Sequence, residues 1–199
     1  MKIGILAVQG AFIEHKRILK QLGAECIELR KESDISNLDG LVLPGGESTV
    51  QGKLLHELHM FDSLQQLILG GLPTLATCAG LILLAEHICN DTQIHLGTLP
   101  VTVKRNAYGR QLGSFSKTEN FKGIGNYKMT FIRAPYIEDS ANTEILATVD
   151  GNIVAVKHNN QIGLAFHPEL GEDLRIHQMF LDLCSSYTVK EKCKNPATT

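Results

Sequence analysis

Several features that mark specialised classes of protein are missing from this sequence of 199 residues. No apolar run approaches the ~18 residues that a membrane-spanning helix needs. The first apolar stretch, residues 3–8, follows a single lysine and is too short for a signal peptide. No block of like charges occurs and the formal net charge is −2, so neither nucleic acid nor an anionic membrane is expected as the main partner. We therefore expect a cytoplasmic protein.

Cysteine is present, but its spacing excludes two common roles. The five cysteines include no pair with C-x-x-C spacing. An odd number without such pairs indicates neither a disulfide framework nor a structural zinc site. We interpret Cys26 and Cys184 as core residues and Cys193 as part of a polar tail, whereas Cys78 interrupts an apolar run.

The composition is that of a globular protein, with 43% hydrophobic and 20% charged residues. A compact chain of this length buries ~70% of the surface that its unfolded form exposes, which is enough for a full core. The sequence contains no internal repeat and no low-complexity segment. We predict one domain over residues 1–187, followed by a polar, disordered tail over residues 188–199.

The first half of the chain alternates strands with helices. Strands are predicted at KIGILAV, ECIEL, GLVL and PTLAT, with helices within residues 9–24, 50–58 and 61–69 and at AGLILLAEHI. From about residue 97 to 166 the pattern changes to strands and turns, and a closing helix is predicted at about 172–187. Nearly continuous β-rich runs are typical of strands buried in a parallel sheet. We predict an α/β protein with an open, mostly parallel central sheet, helices on both faces and a strand-rich second half.

Cys78 stands between a predicted strand and a predicted helix, with only a sharp connection to join them. The surrounding residues follow the small-x-nucleophile-x-small pattern of a nucleophile elbow, in which Ala76 and Gly80 are the small residues. A thiol at the start of a helix lies near free N–H groups, which favour the thiolate and can stabilise an oxyanion. The pattern is short, and a buried core cysteine is the alternative.

His167 is the histidine that best suits the role of a base. It ends the strand IGLAF, so both it and Cys78 lie beyond the carboxyl ends of strands, where open α/β sheets gather reactive groups. Glu169 can accept a hydrogen bond from the imidazole and fix its tautomer. The alternative is a strand end with a surface carboxylate. We interpret His15 and His177, on helix faces, as packing residues.

The segment LPGGES, residues 43–48, follows the third predicted strand. Successive glycines expose backbone N–H groups that could form an oxyanion hole or an amide clamp. The alternative is an ordinary strand-to-helix turn with Ser48 as the helix N-cap, and both interpretations can hold together.

Five segments together resemble those of a known family: LVLPGGEST, TCAGLILLA, RNAYGRQLGSF, FIRAP and FHPEL. They closely resemble the glutaminase subunits of pyridoxal 5'-phosphate synthase, which are triad-type glutamine amidotransferases. The similarity covers about residues 1–187, and PGGEST and RNAYGRQ are its most specific motifs. One departure is Ala76, a position where the family often has glycine.

The resemblance implies hydrolysis of L-glutamine to L-glutamate and ammonia through a glutamyl thioester. Cys78 would be the nucleophile, His167 the base and then the acid, and Glu169 the residue that orients His167. The backbone amides of Gly46 and Ala79 would form the oxyanion hole. This chemistry requires no metal and no organic cofactor. Substrate contacts are implied at Gly46, Glu47, Ser48, Arg105, Ile132 and Arg133.

The resemblance also implies a partner, a separate synthase subunit that uses the ammonia to build pyridoxal 5'-phosphate from ribose 5-phosphate and glyceraldehyde 3-phosphate. Docking on that subunit would switch on the glutaminase, with Gln9 and the Gly45–Gly46 peptide close to the docking surface. Two alternatives stay open. One is a glutaminase subunit of another amidotransferase, serving nucleotide or anthranilate synthesis, against which PGGEST and RNAYGRQ argue. The other is a non-catalytic redox or regulatory protein, which an intact His167 and Glu169 disfavour.

Overall fold

A computed structural model describes residues 1–105 and 113–194, with residues 188–194 as backbone only. The first half of the chain contains β1 (Lys2–Leu6), α1 (Phe12–Gln21), β2 (Glu25–Leu29), β3 (Gly40–Leu43), α2 (Ser48–Glu57), α3 (Phe61–Leu69), β4 (Thr74–Thr77), α4 (Ala79–Leu84) and β5 (Ala85–Ile88). The second half contains β6 (Leu99–Lys104), β7 (Ser114–Phe121), β8 (Gly125–Ile132), β9 (Tyr136–Asp139), β10 (Glu144–Val149), β11 (Asn152–His158), β12 (Gln161–Leu164) and α5 (Arg175–Lys194). Short 3-10 turns lie at Glu32–Asp34 and Pro168–Leu170.

A ten-stranded sheet forms the centre of the molecule, in the order β2-β1-β3-β4-β12-β11-β9-β6-β5, with β10 also paired to β11. The five strands from β2 to β12 run parallel to one another. Strand β11 is antiparallel to β12, β9 and β10. Strands β7 and β8 form a separate antiparallel hairpin. The predicted α/β fold with a largely parallel sheet is confirmed.

Helices cover both faces of the parallel strands. Successive side chains of a strand point to opposite faces, so Gly40 and Leu43 of β3 face different sides. A Cβ at Gly40 would meet Cys184 and Phe180 of α5, whereas Leu43 packs against Gly80 of α4. This two-sided cover explains why every residue of β3, β4 and β12 is buried.

Three elements differ from the sequence prediction. The helix predicted at AGLILLAEHI ends at Leu84, and its last four residues form β5, which pairs with β6. Strands β7 and β9 were not predicted. Strand β7 is exposed along most of its length, so its sequence lacks the apolar alternation that indicates a strand. Strand β9 is only four residues long.

The closing helix α5 starts at Arg175 and continues through Lys194, past the predicted end at 187. Residues 195–199 of the predicted tail lie outside the described residues, as does the segment 106–112 with most of the RNAYGRQ motif. The division into a domain over 1–187 and a tail stays a prediction. None of the helices in the described part of the chain is both long and apolar enough to cross a membrane.

Candidate active site

Cys78 occupies the sharp turn between β4 and α4. Its backbone adopts φ 49° and ψ −100°, a region that residues with a side chain rarely enter. The turn is held by a hydrogen bond of 2.8 Å from the Cys78 N–H to the Leu164 carbonyl of β12. It also brings α4 so close to β3 that a Cβ at Gly80 would collide with the Leu43 carbonyl. These features are those of a nucleophile elbow.

His167 follows β12 and lies at the same edge of the sheet as Cys78. Its backbone N–H donates to the Thr130 carbonyl of β8 at 2.8 Å, which ties the histidine to the hairpin. Gly45 lies against both side chains, because a Cβ there would collide with the His167 ring and would lie 3.5 Å from Cys78 Cβ. Both His167 and Cys78 are 7% exposed. The thiol and the imidazole therefore meet at the floor of one opening.

Glu169 completes the group from the 3-10 turn that follows His167. Its Oε1 lies 2.7 Å from His167 Nδ1, and the carboxylate is fully buried. Because the carboxylate fixes the proton on Nδ1, the nitrogen Nε2 is the one available to the thiol. Nε2 is buried, and no nitrogen or oxygen atom of the described residues forms a hydrogen bond with it. Its interacting neighbour is the Cys78 thiol.

The electrostatics favour a charged imidazole. Burial lowers the pKa of His167, but its interactions with Cys78 and Glu169 outweigh burial and raise that pKa to about 10. Burial likewise acts to raise the pKa of Glu169, but the nearby His15 and the hydrogen bond with His167 hold it below its usual value. The pair is thus an imidazolium beside a carboxylate at neutral pH.

A cavity of about 460 Å³ opens above the thiol. Cys78 and His167 line it, and Gln9 and Ala79 also contribute to the wall. All six substrate contacts implied by the family resemblance line the same cavity: Gly46, Glu47, Ser48, Arg105, Ile132 and Arg133. The structure therefore brings every predicted site residue to one place, with Glu169 behind His167.

The loop after β3 is tied to the segment that precedes α1. The Gly45 carbonyl accepts a hydrogen bond of 2.9 Å from the Ala11 N–H. The side-chain oxygen of Gln9 accepts one of 2.8 Å from the Glu47 N–H. A trans peptide directs its carbonyl and its N–H to opposite sides, so the Gly46 N–H points away from Ala11.

Helix α2 starts directly after this loop, and its cap differs from the predicted one. Glu47, not Ser48, is the N-cap, and its carboxylate accepts a hydrogen bond of 2.9 Å from the Val50 N–H. Ser48 is the first residue of the helix and is buried. A carboxylate serves at this position because the helix dipole and the free N–H groups of the first turn favour negative charge.

Two arginines bring positive charge to the cavity. Arg105 is held by Asp91, whose Oδ2 lies 3.2 Å from Nη1, and by His95, whose Nε2 lies 3.5 Å from Nη2. Arg133 adopts φ 42°, and its N–H donates to the Gly113 carbonyl at 2.9 Å. The guanidinium of Arg105 is thus held in place, and a fixed guanidinium is well suited to bind the carboxylate of a small substrate.

A model of the SNO glutamine amidotransferase family matches residues 5–186 of the chain. The chain belongs to this family. The pyridoxal 5'-phosphate synthase subunit PdxT of Desulfitobacterium hafniense is 63% identical over 187 residues, which are 93% of this chain and 94% of that protein. PdxT of Methanocorpusculum labreanum is 56% identical over 185 residues, 92% of this chain and 97% of that protein. A crystal structure described as a glutamine amidotransferase superimposes with a TM-score of 0.88 at 41% identity, over 92% of this chain and 98% of the other.

Membership of the SNO family confirms the resemblance seen in the sequence motifs.

Two residues predicted to be packing residues, His15 and His177, lie in a buried polar group behind Glu169. The sequence signal was a histidine on the core-facing side of each of two helices, α1 and α5. Among the described side chains, no three histidine, cysteine or acidic residues are grouped as metal ligands would be.

Proposed function

We propose that the chain is the glutaminase subunit of a pyridoxal 5'-phosphate synthase, and that it hydrolyses L-glutamine and passes the ammonia to a synthase partner. The observation that carries the proposal is the buried set of Cys78, His167 and Glu169 under a cavity lined by the six implied substrate contacts. The PdxT relatives, at 63% and 56% identity, support the same assignment.

The reaction begins with glutamine bound in the cavity and its side-chain amide above Cys78. Arg105 or Arg133 pairs with the α-carboxylate of the substrate. The Cys78 thiolate attacks the amide carbon, and the carbonyl oxygen becomes an oxyanion. His167, as an imidazolium, then donates a proton to the nitrogen, the C–N bond breaks and ammonia leaves. The product is a thioester between Cys78 and the glutamyl group.

The second half of the reaction uses the neutral imidazole left by the first. His167 removes a proton from a water molecule, which attacks the thioester carbonyl. The C–S bond breaks, the Cys78 thiolate re-forms beside the imidazolium, and glutamate is released. Glu169 keeps the proton of His167 on Nδ1 in both halves and stabilises the imidazolium.

We assign the oxyanion hole to the N–H groups of Gly46 and Ala79. Ala79 follows the nucleophile directly, which is the usual position for one of the two donors at an elbow. The hydrogen bond from Ala11 fixes the orientation of the Gly45–Gly46 peptide, whose trans geometry directs the Gly46 N–H away from Ala11. Two such donors aimed at a developing negative charge account for a large part of catalysis in acyl transfer.

The proposed synthase partner acts on the same loop. Gln9 and Ala11 hold the backbone of the 45–47 loop by two hydrogen bonds, so a subunit that docks near Gln9 can change that loop directly. Docking activates hydrolysis only if the partner binds the two states of the loop with different affinity.

We also propose a cytoplasmic location, since the described cysteine side chains form no disulfide, as expected in a reducing compartment.

Ammonia release from L-glutamine tests this proposal, with the wild-type chain assayed alone and with the synthase subunit. We expect release that rises when the synthase is added. The matched control replaces that synthase with the acceptor subunit of a nucleotide or anthranilate amidotransferase, which should leave the rate unchanged. Stimulation by the control subunit instead would assign the chain to a different amidotransferase.

A further inference from the structure

A chain of buried polar side chains continues from Glu169 into the interior. His15 Nε2 forms a hydrogen bond of 3.2 Å with Thr77 Oγ1 and lies 3.3 Å from Glu169 Oε2, which has no hydrogen-bond partner among the described residues. His15 Nδ1 lies 3.0 Å from His177 Nε2. All four of these residues have no solvent exposure. The chain links α1, β4 and α5 to the 3-10 turn that carries Glu169.

This arrangement is not what packing alone requires. Burying a polar group costs free energy unless it is hydrogen-bonded, so an apolar side chain would fill either helix position at lower cost. The rings of His15 and His177 are tilted by 53° and do not stack. Their nitrogens instead face each other at hydrogen-bond distance, and the other nitrogen of His15 faces Thr77 and Glu169.

The carboxylate determines which nitrogen of His15 carries the proton. Glu169 is ionised and can only accept hydrogen bonds. A bare Nε2 would place a lone pair against the carboxylate, so Nε2 carries the proton and Nδ1 is the acceptor. His177 Nε2–H then donates to His15 Nδ1, which leaves His177 Nδ1 as a buried acceptor without a partner in the described structure.

Both imidazoles are neutral in this arrangement. Burial lowers the pKa of His15, the charge of His167 lowers it further, and these effects outweigh the opposite effects of Glu169 and Glu14. Burial, followed by the nearby His15, lowers the pKa of His177 well below its usual value. The pair therefore supplies oriented N–H groups and no net charge.

We propose that His15 and His177 are positioning residues of the triad: His177 fixes the tautomer of His15, and His15 donates its Nε2–H to Thr77 and thereby holds this N–H dipole against Glu169, so that Glu169 stays ionised and aimed at His167. This inference rests on the proposed glutaminase function. It adds to the triad two residues that do not touch the cavity.

Loss of the His15 N–H should change the pH dependence of the reaction. The groups that face His167 are Cys78 and Glu169, and the group behind Glu169 is His15. Without the His15 N–H the carboxylate of Glu169 is no longer held in place, so its hydrogen bond of 2.7 Å with His167 Nδ1 weakens. A carboxylate that is held less closely stabilises the imidazolium less, and the pKa of His167 falls from about 10. The alkaline limb of activity then moves to lower pH.

The sharpest test compares His15→Gln with His15→Asn. The amide nitrogen of Gln reaches the position of Nε2, whereas that of Asn reaches only the position of Nδ1. Both variants bury a neutral primary amide at this position, although Asn is shorter than Gln by one methylene group. We expect His15→Gln to keep most of the wild-type kcat in the complex with the synthase. We expect His15→Asn to lose about tenfold in kcat, the lower end of the range for outer-shell residues that orient metal ligands, with KM unchanged.

The pH profile distinguishes a positioning role from a purely structural one, because a purely structural role would leave the profile unchanged. In His15→Asn the alkaline limb of kcat should fall by about one pH unit, a common size for the effect of one neighbouring group. An NMR titration of His167 in the isolated chain should show the same fall without glutamine or partner. His87→Leu, at an exposed histidine of β5, is the control and should change neither quantity.

Equal kcat and equal pH profiles in the two His15 variants would overturn the proposal. An inactive wild-type chain would refute the glutaminase function instead. In that event the NMR titration still decides the role of His15: a lower pKa of His167 in His15→Asn alone supports it, and the same pKa in both variants overturns it.

Discussion

Glu169 holds a negative charge with no exposure to solvent, and the geometry shows what that charge does. It lies 2.7 Å from His167 Nδ1 and, together with Cys78, outweighs the effect of burial on the pKa of the imidazole. Buried ion pairs often fail to stabilise a fold, because desolvation offsets their attraction. Here the pair serves the chemistry, since it keeps a proton on His167 for the departing ammonia.

Glu169→Gln tests this role of the charge while the size of the side chain is kept. Because the neutral amide cannot stabilise the imidazolium, the pKa of His167 should fall, and ammonia release should decrease by about 10²- to 10⁴-fold, as for the orienting carboxylate of other triads. The alkaline limb of the pH profile should move to lower pH. The assay is ammonia release with the synthase present, and circular dichroism confirms the fold. Activity within about twofold of wild type would contradict this role.

Among the residues of the site, those with a recognisable local sequence pattern could be predicted. Cys78, His167 and Glu169 could be predicted because each stands at a strand end in a recognisable local pattern. His15 and His177 could not, because their contact joins residues 162 positions apart and depends on how α1 and α5 pack. A histidine on a helix face has the same local sequence pattern whether it packs in the core or positions a catalytic residue.

The nucleophile elbow is the element on which the site depends. Its turn requires a positive φ at Cys78 and a close approach of α4 to β3. Gly80 makes that approach possible, because any Cβ there would meet backbone atoms of Leu43, which cannot rotate away. The methyl group of Ala76, where the family often has glycine, is fully buried in the strand before the turn.

Gly80→Ala should therefore shift α4 and displace the thiol. We expect a loss of about 1–3 kcal/mol in the free energy of unfolding, the usual cost of overpacking, together with a large loss of ammonia release. Urea denaturation measures the first and the coupled assay the second. Gly113→Ala is the matched control, because a Cβ there meets no atom within 4 Å. Full stability in Gly80→Ala would show that the helix is free to move.

The bounds of a helix or strand could be predicted where the composition of the segment and its flanking residues indicate the same element. Strand β2 was predicted with its observed bounds, because ECIEL is a short β-rich run that ends before charged residues. The segment AEHI continues an apolar helix in the sequence, but its pairing with β6 makes it β5. Such pairing is decided by tertiary contacts, which override local propensity. The cap at Glu47 was missed for a similar reason, since Ser48 has the higher local preference but is buried.

The whole molecule brings distant parts of the chain to one edge of the sheet. Parallel strands β3, β4 and β12 end side by side, so the 45–47 loop, Cys78 and His167 converge there. The hairpin of β7 and β8 covers the same edge, where the Ile132 carbonyl lies 4.0 Å from Cys78 Sγ. The order of the strands thus explains why one edge of the sheet carries every group that the reaction needs.

Ammonia release by Cys78→Ala, assembled with the synthase, tests the central claim most directly. The small side chain keeps the fold of the elbow but removes the nucleophile, so no thioester can form. We predict that the variant binds the synthase as the wild type does, while its ammonia release from L-glutamine falls to the background rate. Near-normal ammonia release by an intact Cys78→Ala complex would contradict the account.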